Sequence, residues 1–401
     1  MKRIYFIVLI LAGVTHAALA QTTRTGVLVI GAGNSAIGAA VQSAASGAKT
    51  VLLVPGQGFE LSSAGKDQNS GLAAEFLTRV RKHKAVEDSL SQVVFDDPSA
   101  APVLKTWMDS LKNLTLIRNA VWQKLKRSGS GWVTELNDGK TVKAEVLVNA
   151  DQSGKVAAAL QLPKTPALWQ SFSYDQNIYR TSISSGYFTG NSSANIISLY
   201  RLLNPSQENL ISLDDGTQSF AAGQAGGATA AYAAFYKVKT SEANLKTIQA
   251  ELINYKLSLV PFDDIKPTDS NWKAMQFIGL TGLLKAAFRD GKASFEPEKL
   301  VSTAEIDPVI REYYYKAQLW FDDYKAPQMT IGSTLSLVCT VGHKAINNTE
   351  EEIKKRWNTT YHFKTAYDPD RQISRREFAV LANDYLAPFY VNIDQNGRVQ
   401  K

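Results

Sequence analysis

The sequence holds one cysteine, Cys339, in 401 residues, so no disulfide can form within the chain. A chain of this size must then draw its stability from an apolar core. Cys339 sits in the apolar run Leu335 to Val341, where a thiol behaves as a small buried hydrophobe rather than a nucleophile. Histidine is nearly as scarce: there are four, scattered, and His16 lies near the N-terminus. No His/Cys cluster has metal-ligand spacing, which argues against a zinc enzyme, and no metal site is expected. The formal charge is +7, yet Lys and Arg are spread along the chain without a dense block, so no nucleic-acid partner is expected. Beyond residue 20 no apolar run is long enough to span a bilayer.

What is present is an ordinary globular composition, 44% hydrophobic and 20% charged, with length for two or three domains. The first twenty residues stand apart. Lys2 and Arg3 precede the apolar run Ile4 to Val14, and Ala18-Leu19-Ala20 supplies small residues for cleavage. This is the pattern of a secretory signal peptide over 1–20, and it predicts an exported protein of the periplasm or cell surface that starts near Gln21. A membrane anchor is the competing reading, for which the apolar run is short.

The densest chemical signal lies in Thr25 to Pro55. Val27 to Ile30 reads as a buried parallel strand, and it runs into Gly31-Ala32-Gly33-Asn34-Ser35-Ala36. A small-residue helical segment, Ile37 to Gly47, and a second apolar run, Val51 to Val54, complete a strand–turn–helix–strand unit. The spacing is that of a dinucleotide-binding turn. Gly31 allows a sharp exit from the strand, Gly33 lets a diphosphate approach the backbone, and Ala36 permits close packing of helix on strand. The N–H groups at the helix start then face an anion, aided by the helix dipole. One departure stands out: Val54-Pro55-Gly56 occupies the place where an acid would hold the ribose, and the nearest acid is Glu60.

Further along, Gly71 to Lys82 reads as an amphipathic helix with Leu72, Phe76 and Val80 on one face, and Pro102 to Leu111 as another. Leu114 to Ile117 and Ala120 to Leu125 read as strands. Gly131 to Leu136 and Thr141 to Ala150 read as a hairpin turning at Asn137-Asp138-Gly139. The apolar run Val146 to Val148 ends at Asn149-Ala150-Asp151-Gln152-Ser153-Gly154.

This order resembles the secreted FAD-dependent oxidoreductases with a glutathione-reductase-like fold. The resemblance implies an α/β, Rossmann-like FAD-binding domain over 21–255, a parallel sheet with a β-hairpin insertion. It implies that Leu116 to Val121 supplies backbone contacts to the adenine side, and that Asp151 and Gly154 stand in the turn beside the cofactor. Asn209 to Phe235 is similar to the family's closing motif: Leu210 to Leu213 would be a strand, Asp214 or Asp215 would approach the ribityl chain, and Gly223-Gln224-Ala225-Gly226 would begin a helix near the flavin. Read from its residues alone, the same glycine-rich helix could simply pack tightly and bind nothing.

Only about 55 residues separate Gly154 from Asn209, near the lower limit for an independent domain. Trp169, Phe172, Tyr174, Tyr179, Tyr187, Phe188 and Tyr200 crowd this short substrate segment, about 160–208, either to line a pocket or to supply a small core. Thr240 to Leu259 reads as a helix. From 256 to 401 the chain reads as a mainly α-helical module. Val301-Ser302-Thr303-Ala304-Glu305 and Ile373-Ser374-Arg375-Arg376-Glu377 both carry the Ser-x-x-Glu spacing of a capping box. This tail resembles a pair of S-layer-homology repeats, which implies a cell-envelope glycan as partner; a helical module docked on the flavin domain is the alternative.

Two functions follow. One is an exported oxidoreductase that uses FAD on a small-molecule or glycan-derived substrate; the other is a scaffold that keeps the flavin fold without its catalysis. NAD(P) is a third candidate ligand, disfavoured by the closing motif. No residue reads as a catalytic base, because His83 sits among Arg79, Arg81, Lys82 and Lys84, as a solvated surface histidine would.

Overall fold

A computed structural model describes residues 22–62, 70–84, 95, 98–187 and 193–400. The expected signal peptide, most of 61–70 and Phe188 lie outside the described residues. Among the described residues no helix is long and apolar enough to cross a membrane.

Strand β1 (Thr22–Ile30) leads through the glycine turn into α1 (Asn34–Ala45) and then β2 (Thr50–Leu53). Helices α2 (Gly71–His83) and α3 (Ala100–Asp109) follow, then β3 (Leu114–Ile117), β4 (Trp122–Ser128), β5 (Gly131–Leu136) and β6 (Thr141–Asn149). The sheet order is β3-β2-β1-β6-β5-β4, and the later strand β10 (Leu210–Ser212) pairs with β6 as well. Strands β3, β2, β1, β6 and β10 run parallel. Strand β6 serves two neighbourhoods. Its first half lies between β5 and β1, with Ala144 opposite Trp132; its second half lies between β1 and β10, with Leu147 opposite Leu210. Val27, Leu28 and Val29 are fully buried, which is why β1 reads as an unbroken apolar run instead of an alternating one. At the hairpin between β5 and β6, Gly139 takes φ 80° and its N–H donates to the Leu136 carbonyl.

One face of the sheet is covered by α1 and by α6 (Phe220–Tyr236), which follows the short helices α4 (Lys155–Ala159) and α5 (Leu199–Leu202). These two long helices touch backbone to backbone. A Cβ on Gly38 would lie 2.5 Å from the Phe220 carbonyl, and Cβ atoms on Gly223 and Gly227 would run into the Ser35 and Ala39 carbonyls. The glycine-rich pattern of 223–227 thus reads as close helix packing. Helix α6 also starts earlier than Gly223: Ser219 is its N-cap, accepting from the Ala222 N–H at 3.0 Å. The helix expected over Thr240 to Leu259 is shorter, α7 (Leu245–Asn254), and it starts late because Asn244 caps it by accepting from Thr247 N–H.

The segment 160–208 forms a three-stranded antiparallel sheet, β7 (Gln170–Ser171), β9 (Ala194–Ser198) and β8 (Ser182–Tyr187), in that order. The C-terminal module packs on it. Tyr174 and Tyr187 accept from the Ala286 and Ala293 N–H groups at 2.8 and 3.1 Å, and Tyr187 donates to the Pro261 carbonyl at 2.6 Å. Phe172, Tyr174 and Tyr179 form an edge-to-face cluster that reaches Phe288. Arg180, its side chain buried, binds Glu312 through both terminal nitrogens at 2.7 and 2.8 Å. The aromatics therefore build a core shared with the tail.

The tail contains α8 (Trp272–Thr281), the hairpin β11–β12 (Ala287–Arg289, Lys292–Ser294), and helices α9 (Thr303–Tyr313), α10 (Ala317–Asp323), α11 (Ile331–Gly342), α12 (Ile346–Arg356) and α13 (Arg375–Tyr385). Three of these start in the same way. Ser302, Thr330 and Ser374 cap α9, α11 and α13, and the residues leading into them bridge one another in a closed triangle: Leu300 with Ser374, Ser302 with Gln328, Thr330 with Gln372. The sequence reading finds two equivalent starts. The third, at Thr330, is disguised because its partner in the capping box is Ser333 instead of Glu. At Ser374 the box is complete, whereas Glu305 turns away from Ser302 to bind Arg375 at 2.8 Å.

Candidate functional site

At the carboxyl ends of the parallel strands lies a cavity of about 600 Å³, within the range of ligand pockets. Its wall comes from five separated segments: Gly31 to Gly33 after β1, Pro55 and Glu60 after β2, Ala120 to Trp122 after β3, residues between Ala150 and Ala158 after β6, and Gln218. Parallel strands end together, so the loops that follow them must meet.

Gly31 has φ +151°, and a Cβ there would lie 2.5 Å from the Ala150 carbonyl, so only glycine lets β1 and β6 end side by side. Gly33 pairs with Glu60 in a parallel bridge, and the Glu60 N–H donates to the Ala32 carbonyl at 2.9 Å. That bridge brings Glu60 into the wall of the cavity beside Gly33, at the turn. Asn34 and Ser35 are buried in structural roles: the Asn34 side chain holds both backbone groups of Ser62 at 2.7 and 3.2 Å, and the Ser35 hydroxyl joins Thr217 and Ser219. Ala36 packs below Gly31.

On the far wall, Val121 is exposed and its neighbour Ala120 is tied by its N–H to the Val54 carbonyl at 3.0 Å. Asp151 lines the cavity, but its carboxylate is occupied: it accepts from Ser153 N–H and Oγ and from Val156 N–H, and so fixes the turn that opens α4. Gly154 caps α4 with φ 76° and lies just outside the lining.

The closing-motif residues take other places. Asp215 does not line the cavity. Burial pushes its carboxyl above the usual range, and it accepts from Leu168 and Thr217 N–H groups. Gly223 packs on α1. Gln224 is fully buried, accepting from Leu72 N–H at 2.9 Å and donating to Gln42 at 3.0 Å, and Ala225 is buried in the same core. These residues build the scaffold under the cavity. The residue of this region that does reach it is Gln218, which sequence reading passes over because a lone glutamine in a loop carries no pattern.

The cavity suits the adenosine diphosphate portion of a dinucleotide: two glycines at a helix start, the exposed Val121 after β3, and a turn after β6. One side chain stands in the way. A Cβ on Gly33 would collide with the Gln218 carboxamide, so that group already covers the open face of the turn.

Among the described residues no group of three His, Cys, Asp or Glu could hold a metal. His83 is exposed at the end of α2, away from the cavity.

These features define a Rossmann-like domain on a mostly parallel sheet. Residues 26–166, about a third of the chain, match the FAD dependent oxidoreductase family. The match points to FAD as cofactor and to an oxidoreductase as the class of activity. No curated protein sequence matches the chain. Among solved structures, similarity extends to a flavoprotein/dehydrogenase from Cytophaga hutchinsonii, at 14% identity over 63% of this chain and 88% of that one, TM-score 0.34. It extends also to p-nitrophenol 4-monooxygenase PnpA from Pseudomonas putida, at 11% identity over 58% and 84%, TM-score 0.31. For thioredoxin reductase from T. acidophilum the identity is 20%, the TM-score 0.20, and the chain spans only 35% of its length.

Proposed function

We propose that the protein is an exported FAD-dependent oxidoreductase that removes a hydride or electron pair from a small or glycan-derived substrate. The observation that carries this reading is the cavity in which five distant segments converge around the glycine turn. When bound, the flavin supplies the redox chemistry. The chain's own residues then have limited tasks. Gly31 and Gly33 let a diphosphate near the α1 amides, Ala120 and Val121 form the wall on the adenine side, and Asp151 holds its turn in shape.

A small substrate is favoured because the sheet of 160–208 is engaged by the tail, which leaves little chain for a separate substrate domain. Export rests on the N-terminal pattern of 1–20. A cell-envelope glycan as partner of the tail rests on its resemblance to S-layer-homology repeats, to which three equivalent helix starts add weight.

A visible spectrum of the purified protein tests the proposal. Flavin absorbance that bleaches with dithionite is expected; a colourless protein that retains no added FAD would overturn it. The scaffold reading keeps two specific supports: Pro55 replaces the ribose acid, and Gln218 covers Gly33.

A further inference from the structure

We propose that Gln218 is a displaceable stand-in for the diphosphate, so that ligand entry requires its side chain to swing out. This inference rests on the reading of the cavity as a dinucleotide site.

The placement of Gln218 has a definite cause. Both of its neighbours are tied to the Ser35 hydroxyl, which donates to the Thr217 carbonyl at 3.3 Å and accepts from the Ser219 N–H at 3.0 Å. Thr217 is fixed further by Asp215, and Gly216 by Gln152 at 3.1 Å. The loop backbone is thus pinned against the start of α1, and a side chain at 218 is delivered onto Gly33. Its carbonyl oxygen accepts from the Ser35 N–H, one of the amides that a dinucleotide's phosphate would use. The amide oxygen does what a phosphate oxygen does there, with a partial charge in place of a full one.

The contrast between backbone and side chain makes the group displaceable. The backbone is held by several bonds of 3.0–3.3 Å, whereas the side-chain bond to Ser35 is long, 3.4 Å, and Gln218 is only half-buried at the cavity wall. A charged diphosphate is a stronger acceptor than a neutral amide at the same N–H groups. It can therefore take the place, at the cost of driving the amide out. If the open state is about a tenth of the population, the apparent dissociation constant is about tenfold above the intrinsic one.

The test is titration of FAD, and separately of ADP, into the full-length apoprotein and its Gln218→Ala and Gln218→Glu forms, followed by flavin fluorescence and calorimetry. Circular dichroism establishes that each variant is folded. Q218A is expected to bind both ligands about tenfold more tightly than wild type, and Q218E more weakly, because a carboxylate would compete harder and repel the diphosphate. Independent of any ligand, the Ser35 amide should exchange its hydrogen faster in Q218A. Equal affinity of wild type and Q218A, with unchanged exchange at Ser35, would overturn the plug and leave FAD binding standing. Binding of neither ligand by any folded form would overturn both.

Discussion

Lys246 shows how a single residue can set the pH response of the fold. It lies half-buried in a groove with Glu251, Tyr255 and Tyr390, its ammonium 4.7 Å from the Phe389 ring centre. Burial, with a smaller contribution from Arg180, lowers its pKa from 10.5 to about 7. The native state then releases this proton near pH 7, while the unfolded chain keeps it to about 10.5. Between those values the unfolded state binds more protons, so the residue's contribution to stability rises with pH; below pH 7 its full cost is felt. Lys246→Met should raise the melting temperature most at pH 6, with the gain fading towards pH 10. A gain that is the same at both pH values would contradict the assignment. The Gly31 turn and the buried thiol of Cys339 were legible in the sequence because glycine spacing and an apolar run are local signals. Gln218 was not, because its role depends on the Ser35 N–H, 183 positions away in the chain.

The pairing of α1 with α6 carries the same lesson at the level of elements. Glycines 223 and 227 have two physical uses, approach of a ligand and approach of a helix, and the pattern in one helix cannot separate them. The structure shows the second, since the empty Cβ positions face the backbone of α1. Gly223→Val should therefore force the helices apart and destabilise the protein by about 3 kcal/mol, at the upper end of ordinary overpacking. Urea denaturation would measure it; a loss below about 0.5 kcal/mol, the usual range of surface changes, would contradict the packing role. The hairpin at Asp138-Gly139 was legible because its turn chemistry is local. The late start of α7 and the early start of α6 were missed by a few residues each, because a single N-cap (Asn244, Ser219) sets the first turn and a continuing apolar pattern does not mark it.

For the whole molecule, the parallel sheet with its hairpin insertion followed from the family resemblance, while the docking of the tail stood only as one of two alternatives. Contacts such as Arg180 with Glu312 join positions 132 residues apart and leave no trace in spacing. They make the tail part of one structure with the flavin-type domain. A chain stopped after Leu259 would leave buried Arg180 without Glu312 and Tyr174 without its partner at Ala286. Losing the partner of a buried charge costs about 3–5 kcal/mol, so the truncated chain should be insoluble or lack near-UV circular dichroism. A soluble, cooperatively melting fragment would show two independent units. The central claim, that the cavity beside Gly33 is the FAD site, is tested most directly by calorimetric titration of FAD into wild type and Gly33→Val, with circular dichroism and melting temperature recorded for both. Saturable binding by the wild type and none by a folded Gly33→Val is the predicted result; equal binding by both would place the flavin elsewhere and contradict the account.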